Sequence, residues 1–210
     1  MSDTLYLSLW YPNLRLAGLA DKLIAVLGAF AEHGGEPRVY SATVWPVSWR
    51  ETPLFQQVYG RRGSQGEAGA PLGAEPQIAV EETLAMLHDD YAYEFQIGLS
   101  LWNFEPEPAA RWAREARLVR VTGYGPLFDD GAYESDGHIR IDFGSDAPFL
   151  EEGIDLDSVA ARHVEENVRQ LIELTAAVEK ASGATARLLW SELGESLAQR
   201  LAARLQGLRQ

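Results

Sequence analysis

Residues 91–102 read YAYEFQIGLSLW, and their alternation decides the class of fold. Tyr91, Tyr93, Phe95, Ile97, Leu99 and Leu101 fall on one side of a strand, with Ala92, Glu94, Gln96, Gly98, Ser100 and Trp102 on the other, because successive side chains of an extended chain point to opposite faces. An unbroken period of two over this length speaks against a helix and makes a poor sheet edge. The segment is therefore predicted to lie inside a sheet with one apolar and one polar face.

Toward the N-terminus, residues 4–10 alternate in the same way, with Leu5, Leu7 and Leu9 opposite Tyr6, Ser8 and Trp10. Tyr11-Pro12-Asn13 turns the chain, and Asn13 is placed to cap a helix over residues 14–33 whose apolar positions Leu16, Leu19, Leu23, Val26, Leu27 and Phe30 recur at helical spacing. Gly34-Gly35 ends it. Strand formers fill residues 39–45 up to Pro46, and a shorter strand is predicted over residues 54–59. Residues 60–75, GRRGSQGEAGAPLGAE, have no apolar periodicity and read as a mobile loop. Pro76 suits a first helical turn, and Val80, Leu84 and Leu87 mark a short helix ending near His88.

Toward the C-terminus, strands are expected near residues 117–122 and 138–143. Asp157 or Ser158 caps a long helix with Val164, Val168, Leu171, Thr175 and Val178 on one stripe, stopped by Gly183. A last helix from about Glu195 carries Leu197, Leu201, Leu205 and Leu208, so that residues 156–208 form a helical C-terminal portion. Residues 186–190 read equally as a strand or as a helical lead-in. The order strand, helix, strand, strand, helix, strand over residues 4–102 is that of a ferredoxin-like βαββαβ unit. The expected fold is α+β: that unit extended by further antiparallel strands, with the C-terminal helices packed on the sheet, in one domain spanning residues 1–210.

The 210 residues, 46% of them hydrophobic, are enough to bury roughly 70% of the surface of the unfolded chain. With no cysteine, a disulfide framework, an iron–sulfur cluster, a thiol nucleophile and a thiolate zinc site are all excluded. The first residues lack a basic start and their apolar run breaks at Pro12, so neither a secretory signal nor a membrane span is expected and a cytoplasmic location is the default. The net charge of -13, from 31 acidic against 18 basic residues, repels phosphate backbones and anionic membranes. Nucleic acid and membrane are therefore not expected partners, whereas a basic protein is.

The charge is concentrated. Residues 129–157 hold ten carboxylates, among them Asp129, Asp130, Glu134, Asp136 and Asp142, against Arg140 alone, a local charge of -9. Within this segment, residues 132–143 imitate a calcium loop but put Ala132 first and Phe143 at the position of the bidentate Glu. Asp136-Gly137 reads instead as a turn. His163 and Glu166 share a helix face, as metal ligands do, but no second pair completes a site. No phosphate-binding loop ending in G-K-[ST] and no G-x-S-x-G elbow occurs. No metal and no cofactor is expected.

The strand phases give the most specific expectation. With Leu5, Leu7, Leu9, Phe95, Ile97, Leu99, Val119, Val121, Ile139 and Ile141 toward the helices, the period of two gives the opposite face Tyr6, Ser8, Trp10, Glu94, Gln96, Ser100, Trp102, Arg120, Thr122, Tyr124, His138, Arg140 and Asp142. Such a face is too polar for a core and unusually aromatic for plain surface. A solvated face laced with Arg–carboxylate pairs is the ordinary explanation. The functional expectation is a non-catalytic protein-binding module that neutralises a basic partner, as inhibitors and immunity proteins do. Its candidate binding residues are Trp10, Glu94, Trp102, Arg120, Tyr124, His138, Arg140 and Asp142 on the face, and Asp129, Asp130, Glu134 and Asp136 in the acidic segment. The alternative is a small-ligand site or enzyme in which Arg120 and Arg140 hold an anion and His138 or Glu94 moves a proton.

Overall fold

The computed structural model describes residues 3–60, 73–105, 111–151, 157–192 and 199–200, with backbone alone at 35–37. In chain order its elements are β1 (Thr4–Trp10), α1 (Leu19–His33, entered through a 3-10 turn at Leu16–Gly18), β2 (Gly35–Pro46), β3 (Phe55–Val58), α2 (Pro76–Thr83), β4 (Tyr91–Glu105), β5 (Arg111–Tyr124), α3 (Tyr133–Asp136), β6 (Ile139–Ser145), α4 (Ala147–Leu150), α5 (Ser158–Ser182) and β7 (Ala186–Ser191). The seven strands form one antiparallel sheet in the order β3-β2-β4-β5-β6-β1-β7. The fold is thus α+β, with α1, α2 and α5 packed on one side of the sheet and the short α3 beside the other.

Helix boundaries follow local chemistry. The Asp157 carboxylate accepts hydrogen bonds from the backbone N–H groups of Val159 (2.9 Å) and Ala160 (2.8 Å) at the start of α5, satisfying two donors that the first turn leaves open. Gly183, at a left-handed φ of 67°, closes the helix. Between these ends, α5 buries Val164, Leu171, Leu174, Thr175 and Val178, and α1 buries Leu19, Leu23, Val26, Leu27 and Phe30. Apart from Val164, which packs with Ala160 and Trp112, both stripes meet the sheet face formed by Leu5, Leu7, Leu9, Phe95, Ile97, Leu99, Val119, Val121, Ile139 and Ile141, all of them buried.

The strand order departs from the ferredoxin-like expectation. In that unit β1 would lie between the third and fourth strands, whereas here it pairs with β6 and β7, and β5 and β6 separate it from β4. Element order alone leaves open which strand a hydrophobic ribbon pairs with, and the residues after 102 supply competing partners. Residues 186–191 resolve as a strand, since Ala186–Ser191 complete the ladder along the outer side of β1. Strand β5 begins six residues before the expected stretch, because its first half pairs with β4 alone, beyond the end of β6, and has no clean apolar phase. Most of the Gly-rich stretch 60–75 and of the last helix expected from Glu195 lies outside the described residues.

Past the end of β2, strand β4 would show an open edge, and Asn167 of α5 takes the place of a neighbouring strand. Its Oδ1 accepts from the Trp102 N–H (2.9 Å), while its Nδ2 donates to the carbonyls of Trp102 (2.8 Å) and Pro148 (2.8 Å). Asn167 is fully buried, so these bonds are what make burial of its amide tolerable.

Candidate functional site

On the side of the sheet away from α1, α2 and α5, the register aligns side chains into rows. One runs Gln56, Thr43, Glu94, Thr122, Arg140, Ser8, Leu188, and the next runs Val58, Ser41, Gln96, Arg120, Asp142, Tyr6, Trp190. Two open depressions lie over these rows. One, of about 370 Å³, is lined by Tyr6, Trp45, Trp49, Glu94, Arg120, Thr122, Arg140 and Asp142. The other, of about 400 Å³, extends over β2 and β3 and shares Trp45 and Glu94 with the first. Together they reach from β6 to β3, four inter-strand spacings or roughly 19 Å.

The β5–β6 end is electrostatically closed. Arg120 Nη2 donates to Asp142 Oδ2 (2.6 Å), and Asp142 Oδ1 accepts from the Gly144 N–H (2.8 Å). Arg140 pairs with Asp136, and its guanidinium lies 5.4 Å from the ring centroid of Tyr6 and 5.7 Å from that of Tyr124, within cation–π range. Tyr124 OH also donates to Asp136 (3.5 Å). Glu94, in the middle of the trough, makes no hydrogen bond or ion pair with a described residue. Burial pushes its pKa up from the ordinary 4.5, a shift opposed by Arg120 and Arg140 and reinforced by Asp142.

Trp45 and Trp49 rise beside the trough and pack against each other (5.6 Å), and Trp49 packs on Phe128 (5.0 Å). The loop that carries Trp49 turns sharply at Val47, whose φ of 57° is unusual for a β-branched residue. Two backbone bonds hold it there: Val47 N–H to the Asp90 carbonyl (2.7 Å) and Asp129 N–H to the Val47 carbonyl (2.7 Å). The second brings the exposed Asp129 and Asp130 to the tryptophan wall.

The candidate residues thus separate into groups. Glu94, Arg120, Arg140 and Asp142 are brought together in one depression. Tyr124 stands behind it, in the aromatic cluster with Trp49 and Phe128. Asp136 serves as the partner of Arg140, while Asp129, Asp130 and Glu134 are exposed and make no ion pair among the described residues. Trp10 bends away, its indole N–H donating to the Glu134 carbonyl (3.4 Å). Trp102 lies at the far end of β4 against α5, its indole donating to Glu166 (3.0 Å) and its ring 4.1 Å from that of His163. Glu166 also pairs with Arg114 (2.9 Å), so His163 and Glu166 are occupied in packing α5 onto the β4–β5 ribbon.

His138 precedes β6 and lines a separate pocket of about 80 Å³ with Leu14, Leu16, Leu19, Tyr124, Pro126 and Tyr133. Its Nδ1 accepts from the Tyr11 N–H (3.2 Å), and burial lowers its pKa. His138 and Glu94 therefore share no cavity. Among the described residues no three His, Asp or Glu side chains gather to hold a metal ion, and no helix is long and apolar enough to cross a membrane.

Trp45, Thr43 and Ser41 line the site as well, although strict alternation gives β2 no phase. The cause is a bulge: Val39 pairs with Ile97 and Ser41 with Gln96, leaving Tyr40 as an extra residue. Val39 and then Ala42 and Val44 are thereby all buried, which breaks strict alternation. Reading Ala42 and Val44 as the inward pair would have placed Ser41, Thr43 and Trp45 outward. Comparison of the chain with known protein families, with curated proteins and with solved structures returns no match.

Proposed function

We propose that this protein is a non-catalytic binding module whose open sheet face receives a basic partner protein, in the manner of an inhibitor or immunity protein that neutralises its target. The observation that carries the reading is the continuity of the trough from β6 to β3. At roughly 3.3 Å per residue, a trough of that length accommodates about six residues of extended chain, which suits a segment of a macromolecule. Its Trp, Tyr and Arg lining has the composition of a protein interface. The acidic residues at its end, Asp129 and Asp130, and a net charge of -13 favour a cationic partner.

The alternative, an anion held by Arg120 and Arg140, loses support because both guanidiniums already have carboxylate partners. Of the two groups offered to move a proton, His138 lies in a separate pocket, which leaves Glu94 alone beside the two arginines. The test is capture from the native host, with proteins identified by mass spectrometry, using wild type, Gln96→Lys in the trough and Ile78→Lys on the helix side. The expected result is a basic protein held by wild type and by Ile78→Lys, lost with Gln96→Lys, and released by about 0.5 M salt, where screening is strong. A partner held by Gln96→Lys and lost with Ile78→Lys would overturn the reading.

A further inference from the structure

Within the trough the two compartments differ in charge. In the one over β5 and β6, Arg120 and Arg140 each have a carboxylate partner, Asp142 and Asp136. The one over β2 and β3 is lined by hydroxyls, amides, aromatic rings and aliphatic groups, and among the described residues Glu94 is its one charged side chain. A carboxylate withdrawn from water without a hydrogen-bond donor is unfavourable, and so is a buried donor without an acceptor. Both conditions meet here, since the buried Nε1 of Trp45, which borders the same compartment, also lacks a hydrogen-bond partner among the described residues. Neighbouring polar groups of this protein have compensated one another at the β5–β6 end and have not done so at the β2–β3 end.

Resting on the reading of the open face as a protein-docking surface, we propose that the β2–β3 compartment receives one arginine side chain of the partner, with Glu94 as the anion that binds it and Trp45 as the wall it lies along. A planar guanidinium supplies the donors that Glu94 lacks, while Trp45, whose indole N–H is itself a donor, offers it only a ring to lie along. The guanidinium can present two parallel N–H groups to a carboxylate, and it stacks on an indole more readily than an ammonium does. Its five donors exceed what one carboxylate accepts, and the oxygens of Ser41, Thr43, Gln56 and Gln96 along the walls are acceptors for the remainder. A metal cation would need several oxygen anions, and an anionic or purely apolar group would leave Glu94 uncompensated.

The proposal is tested without the natural partner by titrating hexa-arginine, hexalysine and hexaglutamate by calorimetry at low salt. The proteins are wild type, Glu94→Gln and the triple variant Asp129→Asn/Asp130→Asn/Glu134→Gln, with circular dichroism to confirm that each is folded. Hexa-arginine is expected to bind wild type more tightly than hexalysine, and hexaglutamate not at all. Glu94→Gln should weaken hexa-arginine by roughly tenfold or more, as removal of one member of a desolvated charge pair does. The triple variant should weaken it only a few-fold and to an extent that vanishes with salt. Binding that ignores Glu94→Gln but is lost in the triple variant overturns the arginine site and leaves the face as a docking surface. Failure of hexa-arginine to bind, with hexaglutamate bound instead, overturns both.

Discussion

At the β5–β6 end of the open face, Arg120 is held by Asp142, and Arg140 by Asp136 and the rings of Tyr6 and Tyr124. At the β2–β3 end, one strand spacing away, Glu94 stands on the same sheet with no hydrogen-bonded or ion-paired partner among the described residues. The contrast separates two uses of charge. Paired groups keep the register of β5, β6 and β1 and contribute to the folded chain alone. The carboxylate without a bonded partner is penalised by burial, eased only at a distance by Arg120 and Arg140, and gains further when a cation arrives from outside. Charged residues on a sheet face are thus informative when sorted by whether the protein itself satisfies them.

The contrast is broken most severely at Arg140. Its replacement by Ala removes an ion pair and two cation–π contacts at once and leaves Asp136 and Tyr124 without the guanidinium they face. The side chains of the pair are mostly withdrawn from water, at 23% and 22% exposure, so the loss exceeds that of a surface pair. Arg140→Ala is expected to cost about 2–3 kcal/mol. In a chain of this size that lowers Tm by roughly 4–10 °C in a thermal melt. An unchanged Tm would show that the β5–β6 charges are surface decoration.

Glu94→Gln sharpens the contrast by the opposite sign. The folded state holds the Glu94 pKa above its ordinary 4.5, chiefly by burial, so folding favours the protonated form. That contribution is complete at low pH and is lost as pH rises through the raised pKa. Near neutrality the ionised carboxylate is the form that burial penalises. The neutral amide should therefore raise Tm at pH 7 and leave it unchanged at pH 4. A destabilised Glu94→Gln at pH 7 would mean that Glu94 is already compensated within the fold.

The same protonation acts on the proposed arginine site. Hexa-arginine affinity should be level near neutrality and fall on acidification at a pH above the ordinary glutamate range, because the neutral acid offers no anion to the guanidinium. The charged groups around Glu94 are Arg120 on β5 and Arg140 and Asp142 on β6, and the decline is assigned to Glu94 by the variant that removes it. It is measured as calorimetric affinity against pH and should vanish in Glu94→Gln. A decline that persists in that variant assigns the titration to another carboxylate.

How much of this was legible before the structure depends on which partners set a residue's phase. The helix-facing positions of β1, β4, β5 and β6 follow from alternation because one face is buried against helices, and a single slip would expose the whole set. The limits of α5 follow from Asp157 and Gly183, which act within one turn of their own position. Legibility failed where geometry depends on remote chain. The pairing of β1 with β6 and β7 rests on residues more than a hundred positions away, and His138 occupies its own pocket because the Tyr11 N–H reaches it. At β2 a single inserted residue, Tyr40, hid three residues of the site. Thus Glu94, Arg120, Arg140 and Asp142 were placed together from sequence, whereas the tryptophan wall was not.

The smallest expected effect on stability concerns the rim. Asp129, Asp130 and Glu134 are exposed and make no ion pair among the described residues, so neutralising all three should change stability by no more than about 0.5 kcal/mol and leave Tm within roughly 2 °C of wild type. Their role in the proposed function is to steer an approaching partner. Charge at a rim acts over a Debye length of about 10 Å at 0.1 M salt and alters encounter far more than residence. For a partner captured by the wild-type protein, stopped-flow association at about 50 mM salt should slow several-fold in the triple variant while dissociation stays unchanged, and the two proteins should converge by about 0.5 M. Variants at Trp45 or Glu94 should show the reverse, with association preserved and dissociation accelerated, as desolvated anchors do. Equal association rates for triple variant and wild type at low salt would reduce the rim to a solubilising surface and leave recognition to the trough.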